Sequence, residues 1–148
     1  MPKQHLESIL SQTLRHYDYW YLKLQVNPLA HTCMPADYIV LTTEKKYLIE
    51  CKETKSKRFD YSRLTQERGL LKFETYGNTF HSYLLLCFWK TTKKNSTYYL
   101  IPMKAYSELK LTIGKKSFNH KDAKKYFKKY TVTFISNKTL NINEVIKK

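Results

Sequence analysis

Pro35-Ala36-Asp37-Tyr38-Ile39-Val40-Leu41-Thr42-Thr43-Glu44-Lys45-Lys46-Tyr47-Leu48-Ile49-Glu50-Cys51-Lys52 reads as two short β-strands joined by a polar turn between Thr42 and Lys46. Side chains alternate faces along a strand, so Glu50 and Lys52 leave on one side and Cys51 on the other. With Glu44-Lys45 as the two turn residues, position 37 lies opposite position 52, and residues opposite one another share a face. That register converges two carboxylates, Asp37 and Glu50, on the ammonium of Lys52. A turn one residue longer rotates Asp37 away unless a bulge compensates.

Upstream of this hairpin, Leu6, Ile9, Leu10, Leu14 and Tyr17 recur at the spacing of one helical face, which predicts a helix over residues 3 to 18. Glu7 sits at the edge of that stripe, and two readings of it stay open. It is either a surface acid complementing the helix N-terminus or an acid reaching the same cleft as Asp37. Trp20 to Val26 alternates as a strand that Asn27-Pro28 ends. His31, Thr32 and Cys33 fall in the following loop, and one His with one Cys and no second pair is a weak zinc signal.

Downstream, Glu53-Thr54-Lys55-Ser56-Lys57-Arg58 reads as a polar, mostly basic connection. Asp60 or Ser62 is a candidate cap for a helix over Tyr61 to Tyr76, stopped by Gly77-Asn78. Leu64, Leu71 and Phe73 then face the core, Arg63, Arg68 and Lys72 face outward, and Gln66 reaches toward the cleft. His81 to Trp89 and Thr97 to Pro102 are two more strands, the first so continuously apolar that it belongs at the sheet centre. Lys104 to Leu109 reads as a helical turn. Residues 115 to 130 are dense in lysine, with Ala123, Phe127 and Tyr130 as the apolar edge of a short helix. Thr131 to Ser136 reads as a last strand, and Asn137 to Lys148 as a polar, fraying tail. The order helix, strand, strand, strand, helix, strand, strand describes an α/β sandwich around a mixed sheet. We expect one domain, residues 1 to 148, with a basic C-terminal segment from 115.

The 148 residues carry a formal net charge of +15 from 27 basic and 12 acidic side chains, an excess that calls for a polyanionic partner, nucleic acid before a membrane surface. No apolar run reaches the roughly 18–20 residues that span a bilayer, and Met-Pro-Lys-Gln-His lacks the apolar core of a signal peptide. Three scattered cysteines without a C-x-x-C pair point to reduced thiols and a cytoplasmic protein. The abundance of Lys, Tyr, Asn and Ile is that of an A/T-rich genome, as in a virus or mobile element.

Phosphodiester hydrolysis needs charge shielded on phosphate oxygens, an activated water and a stabilised leaving oxygen. Hard oxygen donors hold Mg²⁺ for this, commonly one or two carboxylates with water and substrate completing the octahedron. Asp37 and Glu50 are the candidate carboxylates, and the backbone carbonyl of Cys51 at the strand edge is a further candidate ligand. Lys52 is placed to orient or deprotonate the water or to stabilise the pentacovalent state. Lys55, Lys57, Arg58, Arg63, Arg68, Lys124 and Lys128 are the candidate phosphate contacts, a solvated lysine face being the alternative for the last two. The bare spacing Asp-x12-Glu-x-Lys also fits a solvated hairpin.

Pro35-Ala36-Asp37 with Glu50-Cys51-Lys52 resembles the signature of the PD-(D/E)XK nuclease superfamily, with one residue inserted between Pro and Asp. Tyr47-Leu48-Ile49-Glu50-Cys51-Lys52-Glu53-Thr54-Lys55, then Phe59, Leu64 and Gln66, then an apolar strand and Tyr98-Tyr99-Leu100-Ile101-Pro102, are similar to Holliday-junction resolvases of the RecU type over roughly residues 5 to 110. The resemblance implies a restriction-endonuclease-like sandwich and a Mg²⁺-dependent endonuclease, with Mn²⁺ able to substitute. It implies a homodimer acting on branched DNA in recombination and repair, with no small-molecule cofactor. By position it makes Asp37 and Glu50 metal ligands, Lys52 the catalytic lysine, Gln66 the supporting helix glutamine and Glu7 the N-terminal helix acid. Three departures are plain: no stretch matches the long stalk loop of RecU-type enzymes, the N-terminal region is short, and the lysine-rich segment 115 to 129 has no counterpart.

Two other readings remain open. One is a general or single-strand-preferring nuclease of the same superfamily. The other is a non-catalytic basic nucleic-acid-binding module with Tyr17, Tyr19, Tyr21, Tyr98 and Tyr99 as a stacking surface. Carboxylates beside phosphate weaken such a module unless a metal bridges them.

Overall fold

The apolar stripe of the first helix forms as expected: α1 (Lys3–His16) buries Leu6, Ile9, Leu10 and Leu14 against a sheet. In this computed structural model, residues 3–24 and 35–146 are described. The expected ends of the first strand at Val26 and Asn27-Pro28, and the loop residues His31, Thr32 and Cys33, lie outside them.

β1 (Trp20–Lys23), β2 (Tyr38–Leu41) and β3 (Lys46–Thr54) form an antiparallel meander. The chain then crosses over through α2 (Glu67–Glu74) and returns as β5 (Phe80–Phe88), parallel to β3. β6 (Thr97–Pro102) and the two-residue β8 (Thr131–Val132) add antiparallel, giving the order β1-β2-β3-β5-β6-β8. This is the mixed-sheet α/β sandwich that the pattern predicts. Strand side chains divide its core into two. Tyr47, Ile49, Cys51, Tyr83, Leu85 and Cys87 pack with α1. Leu48, Leu84, Leu86, Tyr99 and Ile101 pack with α2 and with α3 (Met103–Ile113). Among the described residues no helix is long and apolar enough to cross a membrane.

Four local expectations are corrected. The basic connection after Lys52 is half strand: β3 runs to Thr54 with Glu53 and Thr54 buried. Arg58–Asp60 forms β4, paired with β7 (Ser117–Asn119). Phe59 and Phe118 meet there in the core, and one aromatic within a charged triplet carries too little period to be read in advance. The long helix over 61 to 76 is a 3₁₀ turn, Tyr61–Arg63, followed by the shorter α2. Asp60 makes no side-chain cap, and Leu70 is the buried helix residue while Leu71 and Phe73 are only half-buried.

Lys104 to Leu109 is the middle of the longer α3, which ends at Gly114 in the left-handed conformation (φ 64°), where glycine carries no Cβ penalty. The lysine-rich helix is α4 (His120–Tyr126), opened by a capping box between Asn119 and Asp122. Its Ala123 and the following Phe127 are buried and Tyr130 is half-buried.

Up to Ile146, the last described residue, the tail is packed. Leu140, Ile142, Val145 and Ile146 are buried beside α1, the last two on α5 (Asn143–Ile146). The Leu140 amide donates to Thr13 Oγ1 at 3.1 Å, and Tyr19 donates to Asn143 Oδ1 at 2.5 Å. Those four apolar residues are diluted among Asn and Lys, which is why the segment reads as polar.

Candidate active site

The β2–β3 register differs from the expected one. Tyr38 faces Ile49 and Leu41 faces Lys46, so the turn residues are Thr43-Glu44 rather than Glu44-Lys45. Thr42 sets this turn: its Oγ1 accepts from the amides of Lys45 (2.9 Å) and Glu44 (3.4 Å), and its own amide donates to the Lys45 carbonyl at 2.9 Å. A hydroxyl that captures backbone amides two and three residues on favours a turn centred there. The pairing therefore slides by two residues. Because the side-chain period is also two, Asp37 keeps its face and comes beside Glu50 instead of opposite Lys52.

Asp37 stands just before β2, where the Cys51 amide donates to its Oδ2 at 2.8 Å. In an extended strand the N–H and C=O of one residue leave by the same edge, so the Cys51 carbonyl faces this edge as well. The Cys51 side chain is buried in the opposite core. Glu50 is 1% exposed, with Lys52 Nζ 3.5 Å from its Oε2. A buried carboxylate is tolerable when paired in this way.

The structure brings Glu7 beside Asp37 and Lys23. Tyr38 hydroxyl donates to the Glu7 carbonyl at 2.7 Å and lies 2.6 Å from Ser11 Oγ, which pins this turn of α1 over the strand. The Glu7 carboxyl is raised above its ordinary value, first by burial and then by the charge of Asp37, with Lys23 opposing. Lys23 Nζ is 3.4 Å from Glu7 Oε2. Lys23 was not anticipated; the register Lys23↔Tyr38 brings it in, and only a known β1–β2 pairing reveals that.

Gln66 caps α2 without using its side chain on the helix, and its Oε1 is buried with no hydrogen-bond partner. A buried amide oxygen without a donor is costly. Glu53, on the opposite face of β3, is a second buried carboxylate that sequence reasoning placed in a loop. Burial raises it above the usual carboxylate range.

Lys55, Lys57, Arg68, Lys124 and Lys128 are exposed. The first two lie past the Lys52 end of β3, where the His120 amide donates to the Lys57 carbonyl and so brings α4 alongside. Two of the expected cations are engaged locally. Arg58 Nε is 3.6 Å from Asp60, while Arg63 donates to the Glu53 carbonyl at 2.6 Å and lies 5.2 Å over the Phe59 ring.

Among the described residues no group of three or more His, Cys, Asp and Glu side chains forms a ready-made metal cage. In kind the donors nevertheless fit Mg²⁺: carboxylate oxygens and a strand-edge carbonyl are hard ligands, and this ion keeps several waters instead of demanding an all-protein shell. Two neighbouring carboxylates whose charges oppose each other are also what a divalent cation relieves.

No protein-family model matches the chain, and no curated protein matches it. Among solved structures it is similar to Archaeoglobus fulgidus Hjc, a Holliday junction resolvase from an archaeal hyperthermophile. The identity is 14% and the TM-score 0.49, over 70% of this chain and 74% of that one.

Proposed function

We propose that this protein is a Mg²⁺-dependent endodeoxyribonuclease of the PD-(D/E)XK kind that cuts branched DNA as a junction resolvase of the RecU type. The observation that carries the reading is the tie between Asp37 Oδ2 and the Cys51 amide beside the buried Glu50–Lys52 pair. It aligns the first acid with the Glu-x-Lys strand at the point where β2 begins.

Asp37, Glu50 and the Cys51 carbonyl would hold the metal, with Glu7 completing the acidic side; Mn²⁺ has the same preference for oxygen donors. The bound ion supplies charge neutralisation and a water of lowered pKa. Lys52, with only 17% of its side chain exposed, presents its ammonium to a phosphoryl oxygen or the attacking water. The Gln66 amide, with its oxygen buried and unpartnered, accepts from that water and orients it. Lys55, Lys57, Lys124 and Lys128 take flanking phosphates, and Arg68 extends that track.

Two symmetric cuts require two sites related by a two-fold axis. The exposed Trp20, Leu22 and Leu41 share one sheet face through the register Trp20↔Leu41 and would seat a second copy. The test is incubation with a four-way junction, duplex and single strands, with Mg²⁺ and with EDTA. Paired, Mg²⁺-dependent nicks at the branch are expected. Equal cutting of every substrate would reduce the reading to a general nuclease, and binding without cutting would leave a basic binding module.

A further inference from the structure

Toward the other end of the sheet, where β3 and β5 begin and β6 ends, lies a cavity of about 420 Å³. It holds none of the residues assigned above to the nuclease site. Three ammoniums line it, Lys45, Lys104 and Lys129, against a single acid, Glu74. That acid is already engaged: its Oε2 accepts from the amide and hydroxyl of Ser82 at 3.1 and 2.5 Å, and its Oε1 is 3.9 Å from Lys104 Nζ. Lys45 and Lys129 make no ion pair among the described residues. Among the described residues the cavity therefore keeps a positive charge with no further acid to neutralise it.

His81 adds a second, independent sign. Its Nε2 is buried without a hydrogen-bond partner, although the ring lines the cavity and stacks on Tyr47 at 5.7 Å. Burial first, and then Lys45 and Lys104, favour its neutral form, and Glu74 opposes them. An anion entering among these lysines would give the imidazole the acceptor or counter-charge it lacks.

The remaining wall is apolar. Tyr83, Pro102, Tyr130, Val145 and Ile146 form it, with Lys129 Nζ lying 5.2 Å over the Tyr130 ring. The volume falls within the roughly 300–1,000 Å³ of small-molecule sites, so an inorganic anion leaves most of it unfilled. Several cations at one side and aromatic and aliphatic surface at the other match a phosphate joined to a flat, weakly polar body.

We propose that this cavity is a nucleotide site, in which Lys45, Lys104 and Lys129 hold a terminal phosphate and the Tyr130–Ile146 wall receives the base. The proposal does not rest on the nuclease reading, and either can fail without the other.

The full chain is titrated in EDTA with dTMP, dAMP, thymidine and inorganic phosphate, followed by calorimetry and by the NMR signals of the His81 ring. A nucleotide is expected to bind saturably and shift those signals. Thymidine and inorganic phosphate should each bind at least about tenfold more weakly, as loss of charge-assisted bonds or of the apolar contact requires. The K45A/K129A double substitution, of two exposed or half-exposed side chains, should weaken nucleotide binding by a further factor of about ten or more. Competition by a 5′-phosphorylated oligonucleotide, but not by its unphosphorylated form, would identify the ligand as a strand end; no competition would identify it as a free nucleotide. The proposal is overturned if neither nucleotide shifts His81, if K45A/K129A binds as the parent does, or if inorganic phosphate binds as tightly as a nucleotide.

Discussion

Asp37 accepts the amide of Cys51 at 2.8 Å, so an acid outside β2 is fastened to the backbone of β3 between Glu50 and Lys52. This bond separates two roles of one side chain. Asp37→Asn keeps an oxygen able to accept the amide and loses the charge, whereas Asp37→Ala loses both. On the proposed function, both variants should nick junction DNA at least about a hundredfold more slowly, the scale on which electrostatic stabilisers act. Only Asp37→Ala should also lose about 1–3 kcal/mol of stability, the cost of a buried amide left without its acceptor. Rates on a labelled junction and urea melts of both proteins check this. Unchanged cutting by Asp37→Asn would remove Asp37 from the site.

Glu50→Gln is the complementary case. The substitution preserves shape and removes a buried negative charge next to Lys52. Cutting should be lost while junction binding in Mg²⁺-free buffer holds or tightens, because one charge that repels phosphate has gone. Gel-shift affinity and nicking rate are measured on the same preparation. Parental cutting by this variant is the outcome that sinks the assignment.

The raised carboxyl of Glu7 makes a pH prediction whose sign can be worked out. A carboxyl whose folded pKa exceeds its unfolded value of 4.5 binds its proton more readily when folded. Its contribution is fully present below pH 4.5 and is lost as pH rises through the folded value. At neutral pH the ionised Glu7 therefore opposes folding through its burial and the nearby Asp37. Glu7→Gln should melt higher than the parent at pH 7, with the gain shrinking toward pH 4. The lost Lys23 pair, with Lys23 41% exposed, subtracts little. Mg²⁺ should raise the melting temperature of the parent more than that of Glu7→Gln. An equal Mg²⁺ effect on both would take Glu7 out of the metal's surroundings.

Ile142 and Ile135 test the C-terminal segment against each other. Ile142 is fully buried and Ile135 is 52% exposed. Ile142→Ala should cost about 2–5 kcal/mol, while Ile135→Ala should stay within about 0.5 kcal/mol of the parent. Equal, small effects in chemical denaturation would mean that the segment is not core.

What the sequence shows and what it hides divide along physical lines. α1, β3, β5 and β6 are legible because their apolar residues follow a strict period or an unbroken run. So is the pairing of Glu50 with Lys52, which depends only on alternation along one strand. The turn falls at Thr43-Glu44 and not at the expected Glu44-Lys45 because the Thr42 hydroxyl captures the amides; Asp37 keeps its face only because the slide is even. Lys23 beside Glu7, and Glu53 buried on the far face, depend on contacts between segments distant in the chain. β4 and β7 are each three residues long, too short to show a period, and are held by the meeting of Phe59 and Phe118.

The bond from Leu140 to Thr13 gives the far end of the chain a say in the chemistry near its start. α1 is gripped at Thr13 by the closing segment, and at Glu7 and Ser11 by Tyr38. Leu140 and α5 are thus a latch on the helix that carries Glu7. Loosening the latch by trimming or fusing the C-terminus would let α1 drift and Glu7 withdraw from Asp37. On the proposed function, cutting would then be tunable from a place more than a hundred residues away in sequence from Glu7, without touching a single group proposed to meet the substrate.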